Sequence, residues 1–320
     1  MISREVALNF IKKELHIKDV EEGLKFRKIQ LLNQIMRAVQ SEIPYNNIWM
    51  LNNPHMPTKE EVIEGCLKRK GGLCVHFNFF TMNLLKAIGY DVYLAAANYG
   101  TSPYPEAHMI CIVRGIGESH HKYLVDVGSG YPMFETVPIH DLPKTFHQTA
   151  LKIKYTQSET PGRFTRWHRK RDSVVVKDEF QNITEGEWCQ IFDFSDKEVD
   201  YSHFEIYTKP VFAEYHPQNR LLQNCYITRY PGHKNAAICI IGRKLLITDK
   251  HGFLSIRILK LEEMIPVAKK YFPEIALNDV KAAVEKVEDY LMKDKTNSVR
   301  GLVRLGAEYV FQSLKATFKR

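Results

Sequence analysis

No stretch of this 320-residue chain approaches the roughly 18 consecutive apolar residues of a membrane-spanning helix. No segment repeats, and none is of low complexity. Cysteine is scarce, standing at 66, 74, 111, 189, 225 and 239. No CxxC pair occurs, and Cys66 and Cys74 lack the tight spacing of a structural zinc knuckle. A chain this long needs no disulfide staples. The opening, MISREVALNFIKKELHI, carries charges through its apolar positions, unlike a secretory signal. These absences argue against a disulfide scaffold, a zinc module and a membrane span. The expectation is a cytoplasmic protein with reduced thiols and no metal.

What is present is a globular composition. Apolar residues make up 44% and charged residues 26%, enough for a sizeable core and too apolar for disorder. The net charge of +8 points mildly toward an anionic partner. Much of the excess lies in RFTRWHRKRD (163–172) and at the C-terminal end. Nucleic acid and a polyphosphate cofactor are both candidates; a solvated basic face is the simpler reading of charge alone.

The first ninety residues read as helical. In EEGLKFRKIQLLNQIMRAVQ, the residues Leu24, Ile29 (or Phe26), Leu31, Leu32, Ile35 and Val39 recur at helical spacing. EIPYNNIWMLNNPHMP is a connector rich in proline and asparagine. Thr58 caps KEEVIEGCLKRK, with Glu61 completing a capping box. A further helix is predicted from about Cys74 to Ile88, stopped by Gly89. From Tyr90 the texture changes to short β-type runs: DVYLAAANY, HMICIVRG, KYLVDVG, LKIKYT, RFTRWH, DSVVVKD and WCQIFDF. Such a series suggests a small antiparallel barrel or sheet. VDYSHFEIYTKPVFAEYHP reads as a broken helix or link. Four more strands (CYITRY, AAICIIG, RKLLITD, FLSIRIL) and two helices follow. The expected fold class is α+β: a helical bundle over 1–89, a β-barrel over 90–200, an α/β lid over 201–278, and a basic amphipathic extension over 279–320.

KRKGGLCVHFN (68–78) holds the chemistry. A cysteine in the first turn of a helix sits where backbone N–H groups and the helix dipole favour thiolate, and the paired glycines let a ligand approach. Taken alone, such a cysteine is more often a small buried hydrophobe. His76 lies about 200° around the helix from Cys74 and faces away. His120 and His121 fall at a hairpin tip, too remote to serve. The remaining histidines, His140, His147, His168, His203, His216, His233 and His251, have no comparable setting, and most read as surface residues. His108 opens the strand HMICIV, and Asp126 lies near the end of the strand expected to pair with it, roughly opposite His108. Cross-strand neighbours have Cβ atoms about 4.5–5.5 Å apart, within carboxylate-to-imidazole reach. An acid inside an apolar strand is costly unless paired; a turn former before Gly128 is the alternative. Cys74, His108 and Asp126 together follow the nucleophile, base and orienting-acid logic of acyl transfer.

Those residues resemble the arylamine N-acetyltransferase family. IPYNNI (43–48) is similar to its Ile/Val-Pro-Phe-Glu-Asn-Leu segment. KGGLCVHFN (70–78) resembles its Arg-Gly-Gly-x-Cys-x-x-x-Asn signature. AHMICIV (107–113), YLVDVGSG (123–130) and HPQNRL (216–221) resemble its later segments. The resemblance spans roughly residues 20 to 260. It implies a bundle, barrel and lid with a core like that of cysteine proteases and transglutaminases. Cys74 would be the nucleophile, His108 the base and Asp126 the orienting acid. The implied reaction is ping-pong acetyl transfer from acetyl-CoA to an arylamine, hydrazine or related amine, in a monomeric enzyme of xenobiotic metabolism that engages no nucleic acid. Tyr104 and Pro105 stand where relatives contact coenzyme A, and Ala107 and Ser129 where the acceptor would bind.

The sequence also departs from the pattern. Lys70 replaces an arginine, His76 a glutamate or glutamine, and Ser129 an aromatic, which implies a roomier and more polar acceptor pocket. The extension is expected to pack on the lid; holding the cofactor's phosphates or touching an anionic surface are its other readings. Two alternatives of function remain open. One is another Cys-His-Asp acyl-transfer enzyme on the same fold, such as an amide synthase, a transferase using a different acyl-CoA, or a hydrolase. The other is an inactive binding protein.

Overall fold

A computed structural model describes residues 1–100, 102–172, 183–213, 219–232, 236–249, 251 and 253–297. Six helices dominate the first part: α1 (Arg4–Lys13), α2 (Val20–Phe26), α3 (Lys28–Glu42), α4 (Ile48–Asn52), α5 (Lys59–Leu67) and α6 (Cys74–Ala87). A two-residue strand, β1 (Tyr45–Asn46), interrupts them. The long helix expected across 21–40 is two helices broken at Arg27, whose backbone (φ −140°, ψ 47°) leaves the helical region. Gly23 in α2 lets that helix fold back onto Leu31 of α3, where a Cβ would meet the leucine at 3.0 Å. Thr58 and Glu61 form the anticipated reciprocal cap of α5.

Helix α6 is buried on every side from Val75 to Leu85, which explains why its apolar residues run almost continuously instead of forming one stripe. It packs against α5 and against two strands, β2 (Asp91–Tyr99) and β3 (His108–Arg114). Fully buried Phe77 and Phe80 each contribute about 1.5–3 kcal/mol by leaving water. The site therefore starts on a helix that cannot shift without opening the core.

The chain then forms β4 (Lys122–Val125), β5 (Val137–Pro138), β6 (Lys144–Gln148), β7 (Leu151–Gln157), β8 (Arg163–Arg169), β9 (Thr184–Glu185) and β10 (Trp188–Ser195). Among the described residues these join β2 and β3 in one antiparallel sheet, ordered β5-β4-β3-β2-β10-β8-β7-β6 with β9 on β10. The sheet curls into a nearly closed barrel. Strand β3 is buried from His108 to Val113, with α6 against it. A bulge at Ile191 of β10 shifts the ladder and turns that residue toward the cavity described below. The expected strand DSVVVKD falls on 172–178, almost wholly outside the described residues.

A linking segment follows as two short helices, α7 (Tyr201–Tyr207) and α8 (Lys209–Ala213), and then α9 (Arg220–Gln223), which matches the broken helix read from the sequence. The lid sheet comprises β11 (Tyr226–Arg229), β12 (Ala237–Ile241), β13 (Lys244–Thr248) and β14 (Leu254–Ile258), followed by α10 (Leu261–Tyr271) and α11 (Leu277–Asn297). Its order is β1-β11-β12-β13-β14. The unexpected member is β1, from the segment read as a connector; it ties the N-terminal helices to the lid. Helix α11 lies against α4, α9 and α10. The remainder of the basic extension, 298–320, lies outside the described residues. Among the described residues, no helix is long and apolar enough to cross a membrane.

Candidate active site

The turn before α6 brings Cys74 to a cavity wall. Gly71 adopts φ +72°, and a Cβ there would fall 1.8 Å from the Pro44 carbonyl oxygen. Only glycine fits that approach. The IPYNNI segment braces the turn. The Asn46 side chain donates to the carbonyls of Pro44 and Lys70, each at 2.9 Å, and its backbone N–H donates to the Gly72 carbonyl at 3.0 Å. Asn47 reaches the other way, donating to the carbonyls of Leu221 and Asn224 at 2.6 and 2.7 Å. One short segment thus fixes the cysteine turn and the lid relative to each other.

His76 lies on the buried side of α6. Its Nδ1 accepts the Leu73 backbone N–H at 3.2 Å, and burial pushes the ring down to about 3, so it stays neutral. It caps the helix that Cys74 opens and is no base for the thiol, as its position along the helix predicted.

His108 and Asp126 meet. His108 Nε2 lies 3.0 Å from Asp126 Oδ2, both side chains almost wholly buried. The expected register is corrected. Cys111 pairs with Val125, so extending the ladder puts Ile110 opposite Asp126, and the acid sits one residue past the end of β4. The contact is diagonal, which side chains of this length can span. The His108 ring is wedged between Tyr99 and Phe192, with ring centroids 5.2 Å away on either side. The Cys74 sulfur is close enough to raise the ring, and Cys74 Sγ lies 4.0 Å from the Ala107 carbonyl oxygen.

Burial opposes charge on this pair, but the partners prevail. His108 is raised to about 10 because the charge and hydrogen bond of Asp126, and the Cys74 sulfur, outweigh desolvation. Asp126 is lowered despite its burial by His108, by the Arg166 guanidinium and by the Asn78 amide. The arrangement is a buried imidazolium–carboxylate pair facing the Cys74 sulfur. Such a site can hold a thiolate, return a proton to a leaving group and strip one from an incoming nucleophile.

Three contributors lie in segments quoted from the sequence but were given no role there. Asn78, one helical turn after Cys74, donates to Asp126 Oδ1 at 2.8 Å and to the Met109 carbonyl at 2.6 Å, and accepts the Val127 N–H at 3.1 Å. A wholly buried asparagine in an apolar helix was a usable signal, since such groups are hydrogen-bonded. Tyr45 lines the cavity; burial and then the charges of Cys74 and Asp126 raise its phenol well above the ordinary range. Arg166 is fully buried. It donates to Ser129 Oγ at 3.2 Å, to His168 Nε2 at 3.0 Å and to the Pro132 carbonyl at 3.3 Å.

Arg166 also corrects the reading of the basic run 163–172 as a solvated or anion-binding face. Arg163 pairs with Asp193 and Arg169 with Asp172, while alternation along β8 turns Arg166 and His168 inward. His168 is wholly buried, lowered well below the ordinary range by burial and by Arg166, contrary to the surface reading of most remaining histidines.

The cavity has a volume of about 370 Å³, and Cys74, His108, Tyr104, Ala107 and Ser129 lie on its wall. Pro105 is exposed and is not among the lining residues. The described lining includes no lysine or arginine. Among the described residues the six cysteines form no disulfide. In the HPQNRL segment, Asn219 donates to the Val211 carbonyl at 2.8 Å and lines the same cavity; residues 216–218 lie outside the described set.

A family model described as N-acetyltransferase matches residues 28–281. The chain belongs to the arylamine N-acetyltransferase family. Members of that family are enzymes that use acetyl-CoA, so the chain is assigned to the acetyltransferases. The arylamine N-acetyltransferase of Mycobacterium marinum in complex with CoA is similar in fold, with a TM-score of 0.67 at 18% identity over 86% of this chain and 97% of that one. Arylamine N-acetyltransferase C from Bacillus anthracis gives a TM-score of 0.66 at 16% identity, over 85% and 100% of the two chains. The Nocardia farcinica arylamine N-acetyltransferase gives 0.65 at 17%, over 86% and 96%. No curated protein sequence matches the chain. The α+β class with a barrel-like sheet, expected from the sequence, is the fold of these neighbours.

Proposed function

We propose that this arylamine N-acetyltransferase moves an acetyl group from acetyl-CoA to an arylamine, hydrazine or related amine by a ping-pong route through a thioester on Cys74. The supporting observation is the Cys74 thiol on the cavity wall against a ring whose Nε2 is 3.0 Å from Asp126. His108 holds the proton that the Cys74 thiol has given up, and the Cys74 sulfur attacks the donor's thioester carbonyl. The carbon–sulfur bond to coenzyme A breaks, and the departing thiolate takes the proton back from His108. The acceptor nitrogen then attacks the acetyl-Cys74 carbonyl, His108 removes the amine proton, and the Cys74 thiolate is expelled. Thioester exchange is nearly neutral in bond energy, and amide formation drives the second half. Asp126 holds the ring's tautomer and stabilises the imidazolium.

The proposed roles of the other wall residues follow their positions. Ala107 and Ser129 would border the acceptor, and Tyr104 the pantetheine arm; Pro105 would reach only donor atoms outside the cavity. The protein is proposed to act in the cytoplasm as a monomer. The test is intact mass after incubation with acetyl-CoA: wild type gains one acetyl group and Cys74→Ala gains none. An adduct that survives Cys74→Ala, or amide cleavage with no adduct, overturns the assignment.

A further inference from the structure

Far from Cys74, the turn between β3 and β4 gathers Glu118, His120 and His121, with one ligand atom from each lying within 4.8 Å of the other two. Glu118 Oε2 stands 3.5 Å from His120 Nε2 and 3.8 Å from His121 Nε2. The two imidazoles meet edge to face with centroids 4.7 Å apart. His140, from the turn after β5, stacks on His121 with centroids 3.9 Å apart and planes 2° apart. The His140 ring is itself held by the Lys122 carbonyl, 3.1 Å from its Nδ1.

We propose that Glu118, His120 and His121 form a binding site for one borderline divalent transition-metal ion, with Zn²⁺ the best-suited occupant. Two imidazoles and a carboxylate suit zinc, copper or nickel and not magnesium or calcium, which prefer all-oxygen shells. Bonds of about 2.1 Å in a tetrahedron set ligand atoms about 3.4 Å apart. The observed 3.5 and 3.8 Å close to that with small rotations of exposed side chains. Water takes the fourth position. His140 is a support and not a ligand, because two stacked rings cannot both aim in-plane lone pairs at one ion; it fixes the plane of His121. Ligation through His121 Nε2 puts the ring proton on Nδ1, so the Glu118 N–H contact to Nδ1, long at 3.4 Å, gives way. The site has no part in the acyl chemistry. His108 opens the seven-residue β3 at its other end, roughly 20 Å away at about 3.3 Å per residue. An ion there pins the turn joining the strand of His108 to the strand that leads into Asp126, and it stabilises the folded chain by mass action.

The experiment uses the untagged full chain carrying Cys74→Ala, so that the active-site thiol does not compete, titrated with ZnCl₂ in a non-chelating buffer. The expected result is one equivalent bound with a dissociation constant in roughly the micromolar range and a melting temperature raised by a few degrees. His120→Ala and His121→Ala each weaken binding by about tenfold or more, and His140→Ala by less. His147→Ala, an exposed histidine on β6, leaves binding unchanged, and MgCl₂ produces neither effect. Absence of heat and of a melting shift up to about millimolar zinc, or binding indifferent to His120 and His121, overturns the proposal.

Discussion

The His108 ring and the Asp126 carboxylate meet at 3.0 Å although the β3–β4 ladder sets Ile110, not His108, opposite the acid. The carboxylate reaches diagonally because Asp126 sits beyond the last paired residue of β4, where the backbone is free of the ladder and is held instead by Asn78. With Cys74, the pair is proposed to form one proton-transfer unit at the edge of the cavity.

Replacing that acid tests the unit. Asp126→Asn is expected to fold and to lose roughly 10³–10⁴ in kcat, because the imidazole loses its tautomer and the charge that stabilises its protonated form. Circular dichroism and steady-state acetylation check it. Near-normal turnover removes Asp126 from the mechanism.

Stability should depend on pH through the same pair. Raised to about 10 in the fold, His108 contributes stabilisation that is complete below its unfolded value of about 6.5 and is lost as pH climbs through the folded value. Asp126, lowered in the fold, adds stabilisation present above about 3.9 and lost as pH falls through its depressed value. The urea midpoint of wild type should therefore decline between about pH 7 and 10 more steeply than that of His108→Gln. Parallel declines contradict the buried imidazolium.

Asn78→Ala strips Asp126 of a donor and leaves the Val127 N–H without its acceptor. Each buried group so deprived costs about 1–3 kcal/mol, so a loss of about 2–6 kcal/mol in urea unfolding is expected, with a fall in kcat. An unchanged midpoint with unchanged turnover makes Asn78 dispensable.

How much of this was legible in the sequence differs by element. The cap at Thr58, the buried helix from Cys74 and the strands around His108 were readable because local spacing determines them. The meeting of His108 and Asp126 was readable because an acid inside an apolar strand is costly unless partnered. The diagonal register was not, since it depends on where β4 stops. The pairing of Tyr45–Asn46 with β11 spans about 180 residues of chain, and nothing local announces it. Arg166 was misread because its neighbours are basic and exposed runs look alike; only period-two alternation in β8 distinguishes the inward cation from its flanks.

Ser129 is proposed to border the acceptor. It stands on the cavity wall and accepts from Arg166 at 3.2 Å. Ser129→Phe narrows the cavity and leaves one guanidinium donor unpaired, at about 1–3 kcal/mol of stability. KM should fall or hold for small arylamines and rise severalfold for bulky acceptors. A uniform change across acceptor sizes places the acceptor elsewhere.

The central claim is that the acetyl group rests on Cys74 between two separate half-reactions. Protein acetylated by acetyl-CoA, desalted free of coenzyme A and mixed with an arylamine tests this directly. The account predicts acetylated amine equal to the protein-bound acetyl, with the protein's mass returning to its starting value. Acetylated amine that forms only while acetyl-CoA is present, or an adduct that persists in excess amine, would contradict it.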